Sequence, residues 1–217
     1  MTAVVLPGVY APQDDTELLA AALHAEHLAP GARVLDVGTG SGVLAIEAAR
    51  RGAEVTAVDV SRRAVWTARL NARLSRLPVR IRRGNLFGPV EGRTYDLILT
   101  NPPYVPAPGP GRRPRGRAQA WDAGPDGRRL LDRICRDAPV LLRPGGVLLI
   151  VHSALSGPER TLELLRAEQL KAAVVRRRWI PLGPVLRSRE DWLRRRGLLA
   201  PSDELEELVV IRAERVC

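Results

Sequence analysis

The segment Val34-Leu35-Asp36-Val37-Gly38-Thr39-Gly40-Ser41-Gly42 constrains this chain more than any other. A short run of branched and leucine side chains stops at glycines on every second position, and an apolar, helix-forming stretch from Val43 to Arg51 follows at once. Glycine tolerates the left-handed backbone that a sharp strand-to-helix turn needs, and it leaves bare peptide groups open to a guest. The spacing therefore predicts strand, tight turn and helix, with a nucleotide-type ligand against the turn. The dinucleotide fingerprint wants its third glycine at position 43, where this chain has Val43, so NAD is disfavoured.

The same alternation continues along the chain. Glu54 to Val60 predicts a second strand, Ser61 to Leu74 a helix with Ser61 as its cap, Val79 to Arg82 a third strand and Tyr95 to Thr100 a fourth. Gly146 to His152 is apolar throughout, as strands covered on both faces are, and predicts a fifth. Helices are expected at Asp126 to Leu142 and Pro158 to Glu168, and late strands at Ala172 to Trp179 and Leu208 to Ala213. Thr16 to Leu28 is apolar at helical spacing and predicts an opening helix, with Asp14-Asp15-Thr16 as its capping signal. The fold class that follows is α/β: a doubly wound, mostly parallel seven-stranded sheet in a three-layer α/β/α arrangement, forming a single domain over residues 1–217. Two stretches break the pattern, a basic Pro/Gly loop at 106–118 and an insertion at 181–203 in which Glu190 to Arg196 reads as a short amphipathic helix.

Composition narrows the function. Of 217 residues, 45% are hydrophobic and 27% charged, which excludes a disordered chain. The net charge of +10 points toward polyanions, but Lys171 is the only lysine and the arginines are spread over every segment, so a solvated face accounts for it better. Cys135 and Cys217, even with His24, His27 and His152, are too few and too scattered for a zinc cluster or a disulfide framework, and no metal is expected. The start lacks a signal-peptide pattern, and no run approaches the roughly 18 apolar residues of a membrane span, so a cytoplasmic protein without membrane contact is expected.

Three further stretches carry chemistry. Asp59 ends the second strand, where a carboxylate can accept from both hydroxyls of a ribose. Gly84-Asn85-Leu86 follows the third strand, where the Asn85 oxygen can accept from an adenine amine. Asn101-Pro102-Pro103-Tyr104 ends the fourth. The prolines stiffen the backbone and remove two N–H donors, leaving the Pro102 carbonyl and the Asn101 oxygen as acceptors for one planar NH2 group, with Tyr104 against its face. Drawing both hydrogens into such bonds frees the nitrogen lone pair for an electrophile, and the methyl of S-adenosyl-L-methionine matches. That transfer needs in-line positioning more than a strong base.

With Asp36-x-Gly38-x-Gly40-x-Gly42, Asp59, Gly84-Asn85-Leu86 and Asn101 to Tyr104, the chain resembles the HemK-type glutamine N5-methyltransferases, a class I methyltransferase family. Val9-Tyr10-Ala-Pro12-Gln-Asp-Asp15-Thr16 and Ala120-Trp121-Asp122-Ala-Gly124-Pro-Asp126-Gly127 are similar to further motifs of that family, and the likeness is to its short eukaryotic and archaeal branch. The resemblance implies that Thr16, Asp36, Gly38, Asp59, Asn85, Leu86 and Asn101 contact the cofactor, that Asn101 to Tyr104 grip the substrate, and that Tyr104 and Trp121 wall its cleft. It also implies a protein glutamine in the Gly-Gly-Gln loop of a peptide-chain release factor as acceptor, and a small zinc-binding activator protein as a partner. Asn85 departs from the family's usual Asp, which removes charge assistance from the bond to adenine. The same geometry suits an exocyclic base amine in DNA or RNA, or a peptide or small molecule in a specialised pathway, and a non-catalytic cofactor-binding domain is the remaining alternative.

Overall fold

The computed structural model describes residues 3–109, 118 and 120–216. Arg112, Arg113, Arg115 and Arg117 of the basic loop, and Cys217, lie outside the described residues. The sheet is built from β1 (Arg33–Val37), β2 (Glu54–Asp59), β3 (Val79–Arg83), β4 (Tyr95–Thr100), β5 (Leu142–Ser153), β6 (Leu170–Pro181) and β7 (Leu205–Arg215). The helices are α1 (Asp14–Ala25), α2 (Val43–Arg50), α3 (Arg62–Leu74), α4 (Leu131–Asp137), α5 (Pro158–Ala167), α6 (Pro184–Arg187) and α7 (Glu190–Arg195).

The strands form one seven-stranded sheet in the order β3-β2-β1-β4-β5-β7-β6. β1 to β5 are parallel, and β7 runs antiparallel to both β5 and β6. The order reverses between β1 and β4, which leaves a crevice at the carboxyl ends of these two strands, where open α/β sheets take their ligands. Val34, Leu35, Leu97, Ile98, Leu99, Leu148, Leu149 and Ile150 are buried, as parallel strands covered on both faces require. α1 lays Leu18, Leu19, Ala22 and Leu23 on the sheet, and α2 packs closely through small side chains such as Ala45, Ala48 and Ala49.

Local signals explain several boundaries. Ser61 caps α3 as expected, its Oγ accepting from the Ala64 N–H at 3.4 Å. Asp14-Asp15-Thr16 does not cap α1. Gln13 holds the cap position without a side-chain bond, and the acids sit inside the first turn, where they favour the positive end of the helix dipole. The helix expected at Asp126 to Leu142 is shorter, because residues 126–130 form turns around Gly127, whose φ is +72°, before α4 begins at Leu131. β5 begins at Leu142, four residues before the expected start, and passes through an irregularity at Gly145, whose φ is +74°, before regular pairing resumes at Val147.

Leu148 is fully buried at the centre of β5. Leu148→Ala is expected to lower unfolding free energy by about 2–5 kcal/mol, the range for a large-to-small change in a closed core, as measured by urea denaturation.

Candidate active site

The turn after β1 is held from β2. Gly38 and Thr39 both donate their N–H groups to the Val58 carbonyl, at 2.8 and 3.1 Å, and Gly40 donates to Asp59 Oδ2 at 2.9 Å. Gly38 and Gly40 adopt φ of +74° and +54°, which a side chain would strain. Asp59 Oδ1 accepts from the Ser61 N–H at 2.8 Å. A carboxylate offers about four acceptor positions, so both oxygens of Asp59 keep capacity for a guest. Burial pushes the Asp59 carboxyl up from its ordinary range, and these backbone donors pull it back.

The acceptor turn is held from the N-terminal side. Asn101 Nδ2 donates to Thr16 Oγ1 at 3.4 Å, which leaves Asn101 Oδ1 without a donor among the described residues. Thr16 in turn donates its N–H and its hydroxyl to Asp15 Oδ1 at 2.6 and 3.2 Å. The other oxygen of Asp15 accepts from the hydroxyls of Tyr10, at 2.8 Å, and Tyr104, at 3.0 Å. Burial, with the adjacent charge of Asp15, raises both phenols, so they stay protonated and donate. Behind this turn, Ser156 Oγ donates to the Tyr104 carbonyl at 2.8 Å, and a Cβ on Gly127 would run into that same carbonyl.

These elements enclose a cavity of about 690 Å3. Thr16, Gly38, Gly40, Asp59, Asn85, Leu86, Trp121 and the whole of Asn101 to Tyr104 line it, so the structure gathers most of the expected site residues on one wall system. Asp36 and Gly42 are not on the wall. Asp36 lies behind the turn, where its Oδ2 accepts from Thr39 Oγ1 at 2.5 Å, and burial pushes its carboxyl up to about 7. Gly42 is glycine because α2 starts against α3: a Cβ there would stand 3.0 Å from the Ala68 Cβ, at φ +84°. The cavity also has walls that the sequence gives no role in the site: Tyr10 and Asp15, both within the family-like N-terminal motif, together with Arg133, Glu206 and residues 183–186 of the insertion. Asp15 sat in a motif already singled out but read as a cap. Glu206 had no signal beyond an acid occupying an apolar alternation in β7.

The insertion has a place in this architecture. Leu182, Leu186, Leu193 and Leu199 form a small core of their own, packed against Val105 and Leu155. Arg189 then ties it to the segment behind the acceptor turn, donating to Asp122 Oδ1 at 2.6 Å and to the Pro106 carbonyl at 2.9 Å.

A sheet in this order, with the last strand of the chain inserted antiparallel and a glycine turn facing an acid on the neighbouring strand end, is the class I methyltransferase fold. Residues 1–108 match the family model of the methyltransferase small domain. A putative protein N5-glutamine methyltransferase of Methanocaldococcus jannaschii, MJ0928, is 34% identical over 176 residues, covering 81% of this chain and 87% of the relative. The release factor glutamine methyltransferase of Gloeobacter violaceus is 38% identical over 164 residues, covering 71% of this chain and 57% of the relative. Among solved structures, the E. cuniculi Mtq2-Trm112 complex, responsible for methylation of the termination factor eRF1, superposes with a TM-score of 0.69 at 24% identity, covering 96% of this chain and 99% of that one. The chain belongs to the N5-glutamine methyltransferase family, whose methyl donor is S-adenosyl-L-methionine. It spans little more than half the length of its bacterial release factor relatives such as the Gloeobacter enzyme, and most of the archaeal one.

Two expectations test the geometry. Asp36 has a folded pKa above its unfolded one, so the folded state holds the extra proton: its contribution is fully present below about 4 and is lost as pH rises through about 7. In the ligand-free protein, Asp36→Asn should therefore gain stability relative to the parent between pH 5 and pH 8, read by denaturation at both values. Arg189→Ala should lower stability by about 1.5–3 kcal/mol, since it leaves the half-buried Asp122 carboxylate unpaired, and Arg189→Lys should recover only part, because lysine cannot reproduce the forked contact.

Proposed function

We propose that this chain methylates the side-chain amide nitrogen of a protein glutamine, in the Gly-Gly-Gln loop of a peptide-chain release factor. The observation that carries the reading is Asn101: with its nitrogen turned to Thr16, its oxygen is left as an acceptor on the cavity wall beside Pro102. Asn101 Oδ1 and the Pro102 carbonyl hold the two hydrogens of the acceptor carboxamide, with Tyr104 and Trp121 on either side of its plane. Bound S-adenosyl-L-methionine supplies an electrophilic methyl on its sulfonium. The cavity volume and the bare Gly38–Gly40 backbone fit a ligand of this size and kind. Asp59 holds its ribose, Asn85 and Leu86 its adenine, and Gly38, Gly40 and Thr16 its amino-acid end. Asp36 acts through Thr39 and Gly42 through helix packing, as positioning residues.

A small zinc-binding partner fits the free edge of the sheet. β3 is the terminal strand, and α3, packed on it, exposes Trp66, Leu70 and Leu74 at helical spacing. Nucleic acid as acceptor has less support, since the two relatives named above are glutamine methyltransferases. Among the described residues no helix is long and apolar enough to cross a membrane.

Incubation with labelled S-adenosyl-L-methionine and, separately, a release factor, free nucleic acid and cell extract tests the reading by mass spectrometry. One methyl on the glutamine of the Gly-Gly-Gln loop is expected, and methylated adenine or guanine without it would reverse the ranking. Asn101→Ala should lose turnover by about a hundredfold or more while still binding the cofactor in calorimetry, and a folded variant with near-parental kcat would show that the motif is only a turn. Asp59→Ala should instead weaken cofactor binding by about 1.5–3 kcal/mol.

A further inference from the structure

Along the carboxyl edge of the sheet the candidate ligands fall in strand order. Asn85 follows β3, Asp59 ends β2, Gly38 follows β1 and Asn101 follows β4. β7 runs antiparallel, so its first residues share this edge, and Glu206 stands there, two strands beyond β4. In register, Thr100 is level with Ile150 and Ile211, so Glu206 stands two strands over from β4 and five residues farther out along the carboxyl edge, on the side away from the cofactor candidates. It belongs to the acceptor half of the cavity.

Glu206 lines that cavity and is 6% exposed. The Ser153 hydroxyl donates to its carboxylate, but Oε1 is buried without a partner. Its neighbour Asp15 is already satisfied by Tyr10, Tyr104 and Thr16 and has no donor to lend. The groups facing Glu206 are Asp15 from α1, Tyr10 from the N-terminal segment, Tyr104 from the turn after β4 and Ser153 from β5, while its β6 neighbour, Ile180, carries no charge. A buried carboxylate oxygen left bare is costly, and such atoms in native proteins are accounted for by a ligand or a role.

We infer that Glu206 positions the acceptor, its free Oε1 taking a main-chain N–H of the polypeptide segment that carries the target amide. The inference rests on the protein-glutamine reading above. Between glycines, a glutamine has no side-chain donor beside it, so main-chain N–H groups are what an adjacent acceptor can read. An ionised carboxylate only accepts, which selects for such a donor and against a second carbonyl. Glu206 lies too far along the edge to take a proton from the nitrogen gripped at Asn101. It is a positioning residue, and it acts on binding of the acceptor.

Burial, opposed by the Ser153 bond and reinforced by the charge of Asp15, pushes Glu206 up to about 7. Below that pH the carboxyl is protonated and keeps only a neutral, weaker acceptor, so the parental KM for the acceptor should fall as pH rises through about 7.

The test compares the parental protein, Glu206→Gln and Glu206→Ala in steady-state methylation of a release factor, with calorimetric affinity for S-adenosyl-L-methionine and melting temperature measured alongside. Glu206→Ala should raise KM for the release factor about ten- to a hundredfold, while kcat changes much less. Glu206→Gln keeps an accepting oxygen, so it should raise KM less and abolish its pH dependence. Cofactor affinity should hold within about twofold, and melting temperature should stay or rise, since a bare buried carboxylate is removed. A merely structural Glu206 would instead lower melting temperature and cofactor affinity together, and that result overturns the inference. So does a parental KM and pH profile in both variants when the parental protein methylates the release factor. A parental protein that leaves the release factor unmethylated overturns the substrate reading and takes this inference with it, so the parental reaction tells the two failures apart.

Discussion

The bond from the Gly40 N–H to Asp59 is the constraint on which the rest of the site depends. A turn built from left-handed glycines has little to hold it, because the residues that permit the turn bring no side chains to pack. The hold comes from the neighbouring strand, through the Val58 carbonyl and the Asp59 carboxylate. Asn71 supplies a second anchor from α3: its amide donates to the Ser41 carbonyl at 2.9 Å and to the Val4 carbonyl at 2.8 Å, and it accepts from the Val4 N–H at 3.0 Å. One buried side chain thereby fixes both the turn and the N-terminal segment that passes beside it.

That segment brings Tyr10, Asp15 and Thr16 to the acceptor turn. A carboxylate buried to 3% exposure would be prohibitive alone, but Asp15 is satisfied by two phenols, a backbone N–H and a hydroxyl. Through Thr16 the same network reaches Asn101 and settles which end of its amide faces the cavity. Thr100 ties the end of β4 to that of β1, its hydroxyl donating to the Val37 carbonyl at 2.9 Å. The glycine turn and the acceptor turn are thus registered against each other, which a transfer governed by in-line placement requires.

Local signals made the first five strands legible, because each ends at a glycine, a cap residue or the Asn101-Pro102 turn. The positions of Asp59 at the end of β2 and of Asn101 just after β4 were legible for the same reason, and both line the cavity. Asp36 and Gly42 belonged to the right motif, but spacing could not say that one stands behind the wall and the other serves helix packing. Asp15 was misread because an acid at a helix start has two uses, and tertiary partners, here Tyr10 and Tyr104, decided between them. Glu206 lay beyond sequence reasoning, since its meaning depends on β7 being inserted antiparallel between β5 and β6.

That insertion of β7 has a consequence for the acceptor half. Parallel strands deliver only their last residues to the ligand edge, whereas an antiparallel strand delivers its first, so the connection that precedes it arrives there too. The connection from β6 to β7, residues 182–204, is nearly coextensive with the 181–203 insertion, and residues 183–186 consequently form cavity wall. A wall carried on a loop is precise only if the loop is braced. Its own leucine core and the Arg189 contacts to Asp122 and the Pro106 carbonyl supply that bracing. Because Trp121 is the residue next to Asp122, the brace also sets the wall proposed to face Tyr104. One side of the cavity is therefore shaped by parallel strand ends and glycine turns, while the side proposed to take the acceptor is shaped by the antiparallel strand and its connection.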